Sequence, residues 1–151
     1  MGTATESTKW PEIEVPDSVK QLIDRLFTAL DSQDSNAGSV LAHEIFAADG
    51  IAYFGTGHFQ GTKELERSRD NAWTTITFRR HTLSKVYVDS IEGNDLAFIG
   101  HVTMELHNGK IVSGEFTGRI VVRDVENQGK RVELYKIWAD SQPLVKALQS
   151  D

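Results

Sequence analysis

Near residue 77 the hydrophobic period of this chain changes, and that change limits what it can fold into. Before it, Val19, Leu22, Ile23, Leu26, Phe27 and Leu30 follow the i, i+3, i+4, i+7 spacing of an amphipathic helix over residues 17–31. After it, β-branched and aromatic residues fill four long segments, 78–91, 95–107, 110–125 and 131–140. Turn formers join them at 92–95, 107–110 and 126–130, and Asn108-Gly109 is a strong two-residue hairpin signal. Helices first and an antiparallel meander afterwards is an α+β order, not alternating βαβ. The expected architecture is a cone: helices 17–31 and 62–73 covering the concave side of one curved antiparallel sheet around a single small-molecule pocket.

The smaller elements follow from local signals. Ser18 with Gln21 reads as a capping box for the first helix. A short helix is expected over 37–47, a strand over 50–54 and a return strand at 58–60 after the Gly55-Thr-Gly57 break. Thr62 can cap a third helix, and Leu144, Val145 and Leu148 suit a terminal helical turn. Residues 1–16 read as an arm, docked through Trp10, Ile13 and Val15, and residues 17–151 as a single domain. The 151 residues suffice to bury a core without disulfides, and the chain has no cysteine. A net charge of −6 without a basic run argues against nucleic acid. No apolar stretch approaches a membrane span or a signal peptide, so a cytoplasmic protein is expected.

Tight turns at 93–94 and 108–109 would pair His81 with Leu106, Leu83 with Met104, Leu106 with Ile111 and Met104 with Ser113. His81, Glu115 and Arg119 would then share a mixed face. The opposite face would carry Val86, Val88, Ala97, Ile99, His101, Phe116, Ile120 and Val122. With no helix left to cover that second face, a homodimer through Val86, Ile99, Phe116 and Ile120 is expected. A single bulge would reverse the facing beyond it.

Three residues stand out for chemistry. Asp31 continues the stripe of Ile23 and Phe27 and sits at a helix C-terminus, where its charge opposes the macrodipole. It suits a general acid or base, and equally a solvated turn aspartate. His81, on the first long strand, can shuttle protons near neutral pH or be a satisfied core histidine. Tyr53 can orient a substrate carbonyl or fill the core. Trp73, Met104, Tyr135 and Trp138 can be pocket liners or core, and Glu115 and Arg119 can line the pocket or pair with each other. No metal site is expected: His101 and Glu105 share a strand face but lie about 13 Å apart along it.

The helix ending Leu30-Asp-Ser-Gln-Asp34, then Ile51-Ala-Tyr-Phe54, Gly57-His-Phe-Gln-Gly61, Arg80-His-Thr-Leu-Ser-Lys-Val86, Gly93-Asn-Asp-Leu-Ala97 and Trp138-Ala-Asp140 give the chain its resemblance. Over about 17–145 it resembles SnoaL-like polyketide cyclases, dehydratases and isomerases of the nuclear-transport-factor-two-like superfamily, with the texture of fungal secondary-metabolism members. The resemblance implies a cofactor-independent lyase or isomerase acting on a hydrophobic, oxygenated small molecule. It also allows a non-catalytic ligand-binding or dimeric assembly module. In dehydratases of this fold an aspartate ending the first helix pairs with a histidine on the first long strand, assisted by a tyrosine; those positions match Asp31, His81 and Tyr53. Where those enzymes carry a further tyrosine this chain has Leu26 or Leu30. Where scytalone dehydratase has a second histidine it has Leu106. Where limonene epoxide hydrolase has a last-strand aspartate it has Ile137. An Asp31–His81 pair in a partly dry pocket should hold the histidine protonated to higher pH than a free imidazole.

Overall fold

The computed structural model describes residues 3–55 and 57–149; Thr56, in the Gly55–Gly57 break, and the chain ends of the arm and domain lie outside the described residues. Helix α1, Asp17–Asp31, forms over its expected span and buries Val19, Leu22, Ile23, Leu26, Phe27 and Leu30. Pro16 is its N-cap, so Ser18 lies inside the first turn instead of capping it. Helix α2, Ala37–Val40, runs into a π-turn, Leu41–Ile45. The chain turns extended at Phe46, earlier than expected, because Phe46 and Ala47 are themselves buried strand residues. Strands β1, Phe46–Tyr53, and β2, His58–Gln60, form a small hairpin. Helix α3, Gly61–Arg67, is capped at Gln60, whose N–H reaches Glu64 Oε1 at 3.1 Å, and not at Thr62. It stops well short of residue 73, where Ser68 turns its hydroxyl back onto the Leu65 carbonyl.

Four long strands follow: β3, Ile76–Val88; β4, Asp95–Leu106; β5, Ile111–Val125; and β6, Gly129–Ala139, then helix α4, Gln142–Gln149. The six strands form one curved sheet in the order β2-β1-β6-β5-β4-β3. It is mixed and not wholly antiparallel: the connection through α3 crosses from one edge of the sheet to the other, so the meander returns β6 parallel to β1. The arm straps the free edge of β3. Lys9 N–H donates to the Ser84 carbonyl at 2.9 Å, and Thr5 donates its N–H and hydroxyl to Asp24 Oδ1 of α1 at 3.0 and 2.7 Å. Val15 is buried, but Ile13 remains 42% exposed.

Register decides which side chains meet. The β4–β5 loop is not the two-residue turn expected. Leu106 N–H bonds the Lys110 carbonyl, and only Gly109 takes a positive φ, the pattern of a three-residue loop with a glycine bulge. Glu105, not Leu106, therefore faces Ile111, and the one-residue slip turns every β5 side chain over. Phe116, Ile120 and Val122 go to the face under the helices, and Glu115, Thr117 and Arg119 go to the outside. A second shift, at Ser84 in β3, where the arm bonds, carries Val86 onto the same inner face as His81 and Leu83. His81 lies opposite Val102, not Leu106. The outer face thus keeps Ile99 of the four proposed dimer residues, while Val86, Phe116 and Ile120 are core.

That core is aromatic. Phe27 of α1 meets Phe98 and Tyr135 edge-on at 5.8 and 6.0 Å. Two glycines make room for the rings. A Cβ at Gly100 would sit 2.7 Å from the Phe116 ring, and one at Gly118 would strike Phe98. Further along β5, Gly114 faces open space opposite Val102, with β4 between it and His81. At the same end Met104 and Trp73 pack with Ile76, Leu106, Val112 and, from α4, Leu144 and Ala147.

Candidate active site

Two elements build the site. Helix α1 ends at Asp31, where the carboxylate can leave the helix and cross to β3. Strand β3 alternates Arg79, His81 and Leu83 onto the inner face. Asp31 Oδ1 lies 2.5 Å from His81 Nδ1, and Oδ2 accepts the His81 backbone N–H at 2.8 Å. One carboxylate thus holds both the ring and the backbone of the histidine. It sets Nδ1 as the protonated nitrogen and leaves Nε2 able to take a proton. The ring is packed against Phe27 and Phe116, with centroids at 5.2 and 5.5 Å. The Asp31 and His81 side chains keep 20% and 12% of their surface, so the pair is reachable.

Two half-buried arginines complete the group. Arg79 lies 3.5 Å from Asp31 Oδ1 and stacks its guanidinium 4.8 Å over the Trp73 ring. Arg79 and Arg69 both donate to the Leu30 carbonyl, the latter at 3.0 Å, and Trp73 Nε1 donates to the Ser32 carbonyl at 3.2 Å. These bonds satisfy carbonyls that α1 leaves free at its C-terminus.

Burial lowers the affinity of His81 for a proton; the Asp31 carboxylate raises it, and Arg79 and Arg69 lower it again. The net direction is downward, opposite to the expectation from the pair alone. The carboxylate's pull is outweighed by desolvation and by two cations absent from that expectation. His81 is therefore neutral near pH 7, a base in waiting rather than an acid. Desolvation also lowers Arg69, to about 10, and Arg79. Burial raises the Tyr135 phenol, which sits within the field of Arg79, Asp31 and Arg69.

The other expected site residues divide between the two faces. Tyr53 is not with the dyad. It alternates with buried Ala52, pairs with Lys136 and stacks on His58 at 5.4 Å outside the sheet, with Lys136 Nζ 5.0 Å above its ring. The phenol that does lie on the inner face is Tyr135, opposite Ala52. Trp73 and Met104 lie in the cluster with Ile76, Leu106 and Val112, Trp73 also under Arg79. Glu115, Arg119 and Trp138 line shallow outer grooves of about 440 and 520 Å³ instead. Arg119 pairs with Asp95, bidentate at 2.9 and 2.8 Å, and not with Glu115. Sequence reasoning missed Arg69 and Arg79. Arg79 carried a signal, since it is two residues before His81 and so on the same strand face; Arg69, in a turn after α3, carried none. Among the described residues no three His, Asp or Glu side chains stand close enough to share a metal ion.

Comparison with known proteins gives the fold. No family model and no curated protein matches the chain. Solved structures do. A nuclear transport factor 2-like superfamily protein from Salmonella enterica superposes with a TM-score of 0.63 at 19% identity, covering 82% of this chain and 89% of that one. A hexachlorocyclohexane dehydrochlorinase gives 0.58 at 13%, covering 81% and 82%. A protein described as a scytalone dehydratase homologue, from Novosphingobium aromaticivorans, gives 0.59 at 12%, covering 80% of each. The fold is the nuclear transport factor 2-like fold, whose structures include dehydratase- and dehydrochlorinase-type enzymes. No helix among the described residues is long and apolar enough to cross a membrane.

Proposed function

We propose that this protein is a cofactor-independent lyase or isomerase of the SnoaL-like type, moving a proton on a hydrophobic, oxygenated small molecule in cytoplasmic secondary metabolism. Residues 17–151 act as one domain, with residues 1–16 as its strap. The observation that carries the reading is the 2.5 Å contact between Asp31 and His81 on a partly exposed inner face. Neutral His81 takes a proton from carbon beside a carbonyl through Nε2. Asp31 stabilises the imidazolium that forms, and the two cations stabilise the oxyanion. His81 then returns the proton to another carbon or to a leaving hydroxyl. Tyr53 has no part in this scheme.

The test is deuterium wash-in at the α-carbon of α-tetralone, an apolar ketone, in D2O. Wild type should accelerate exchange, and His81→Ala should lose about 10²–10⁴ of that acceleration, the usual share of one acid–base group. Tetralone bound at the inner face without exchange would instead make the protein a ligand carrier.

The outer face supports a homodimer. Trp138 and Tyr87 are 50% and 45% exposed there, beside Ile99 and Thr117. A stable seam buries about 1,200–2,000 Å² in total. Light scattering should give a dimer at micromolar protein, and Trp138→Glu should give a monomer; a wild-type monomer rejects the seam.

A further inference from the structure

The dyad needs one carboxylate, yet two guanidiniums lie beside it. Arg69 and Arg79 converge on the single Leu30 carbonyl at the end of α1. One cation would cap that carbonyl and complement the helix dipole; the second adds charge that capping does not require. Among the described residues Asp31 is the one carboxylate in the field of both arginines and of His81. With His81 neutral, the group of Asp31, Arg69, Arg79 and Tyr135 carries a surplus positive charge in a largely dry place. A buried charge without a partner is costly, so such an arrangement marks a place where a counter-charge arrives. Donors are also left over. The Arg69 and Arg79 Nε atoms are buried and have no hydrogen-bond acceptor among the described residues; the 3.5 Å contact of Arg79 Nε with Asp31 lacks hydrogen-bond geometry. The surroundings suit an aromatic ligand: Arg69 lies 5.8 Å over Phe54, Arg79 lies over Trp73, and Phe27 and Phe116 flank His81.

We propose, taking the pocket assignment above as given, that Arg69 and Arg79 make this an anion-accepting site, so that the substrate carries a carboxylate or an ionised phenol or enol beside the carbon that His81 deprotonates. The anion cancels the surplus charge on binding. It also restores basicity to His81, because a negative charge nearby favours the imidazolium. Substrate binding thereby strengthens the base, so a neutral ketone of the same shape still exchanges its α-proton but more slowly than the anionic substrate.

Benzoate and its uncharged isostere benzamide are the probes, at constant ionic strength, with the His81 ring followed by NMR titration. In wild type, benzoate should bind more tightly than benzamide, and it should raise the His81 pKa where benzamide does not. Arg69→Gln keeps a donor for the Leu30 carbonyl but removes the charge. It should raise the His81 pKa without ligand and weaken benzoate by roughly tenfold to a hundredfold, the range for a hydrogen bond to a charged group. Arg69→Lys should keep the preference for benzoate. A purely structural arginine would move neither the preference nor the histidine. Equal binding of the two probes, or a His81 pKa indifferent to benzoate, overturns the anion site; if Arg69→Gln does not fold, the wild-type comparison decides alone. Failure of the anion site leaves the ligand-free coupling of Asp31 to His81 untouched, whereas loss of that coupling removes the dyad itself.

Discussion

The two faces of the sheet use the same strands in opposite ways. Inside, β4 and β5 alternate Leu96, Phe98, Phe116 and Ile120 under α1, with glycines where rings must lie flat on the backbone. Polar groups there come as one connected cluster, Asp31, His81, Arg79 and Arg69. Outside, the same strands carry Ile99, Glu115, Thr117 and Arg119, with exposed ion pairs and aromatic rings under Lys136. A charge on the outer face is solvated and exerts little on its neighbours. The same charge on the inner face sets protonation states. The chemistry therefore belongs to the inner face, although the outer one displays more aromatic and charged surface.

The largest expected difference between the faces is in stability. Phe27→Ala, at the centre of the inner aromatic cluster, should cost about 3–5 kcal/mol in urea unfolding. Trp138→Ala, half exposed outside, should cost far less at protein concentrations where the chain is monomeric. Similar losses at the two sites would erase the distinction. Within β5 a smaller contrast is expected. Gly118→Ala meets Phe98 and should cost about 1–3 kcal/mol, whereas Gly114→Ala enters open space and should be nearly neutral.

Smaller still is a dependence on pH. The folded His81 binds its proton less readily than the unfolded imidazole near 6.5. Below that value the unfolded chain holds more protons, so stability falls as pH drops from about 6.5 toward the lower folded value, and above 6.5 this residue contributes no slope. His81→Gln should flatten that limb of a stability–pH curve; an unchanged limb would place its cause elsewhere.

How far the sequence could be read follows the same division. The span of α1 and the four long strands were legible because hydrophobic period reports burial on one element at a time. The approach of Asp31 to His81 came only from the resemblance, since position alone left both residues with ordinary alternatives. What failed depended on pairing. Asn108-Gly109 signals a hairpin equally well for a two-residue turn and for a glycine-bulged loop, and those differ by the one residue that moved Glu115 and Arg119 outside and Phe116 inside. Tyr53 was misplaced for a similar reason. Its face is set by the parallel pairing of β1 with β6, a contact between distant parts of the chain. The downward direction for His81 comes first from its desolvation, a product of tertiary packing, and then from Arg79 and from Arg69, which reaches the site from a turn with no periodic signal.

The most direct test is an NMR titration of the His81 ring, without ligand, in wild type and in Asp31→Asn. In wild type we expect a proton on Nδ1 in the neutral ring and a pKa below the ordinary 6.5. Asp31→Asn removes the one charge that favours the imidazolium, so the pKa should fall further while the fold persists. Coincident titration curves for the two proteins, or a wild-type value at or above 6.5, would contradict a half-buried Asp31–His81 dyad poised as a base.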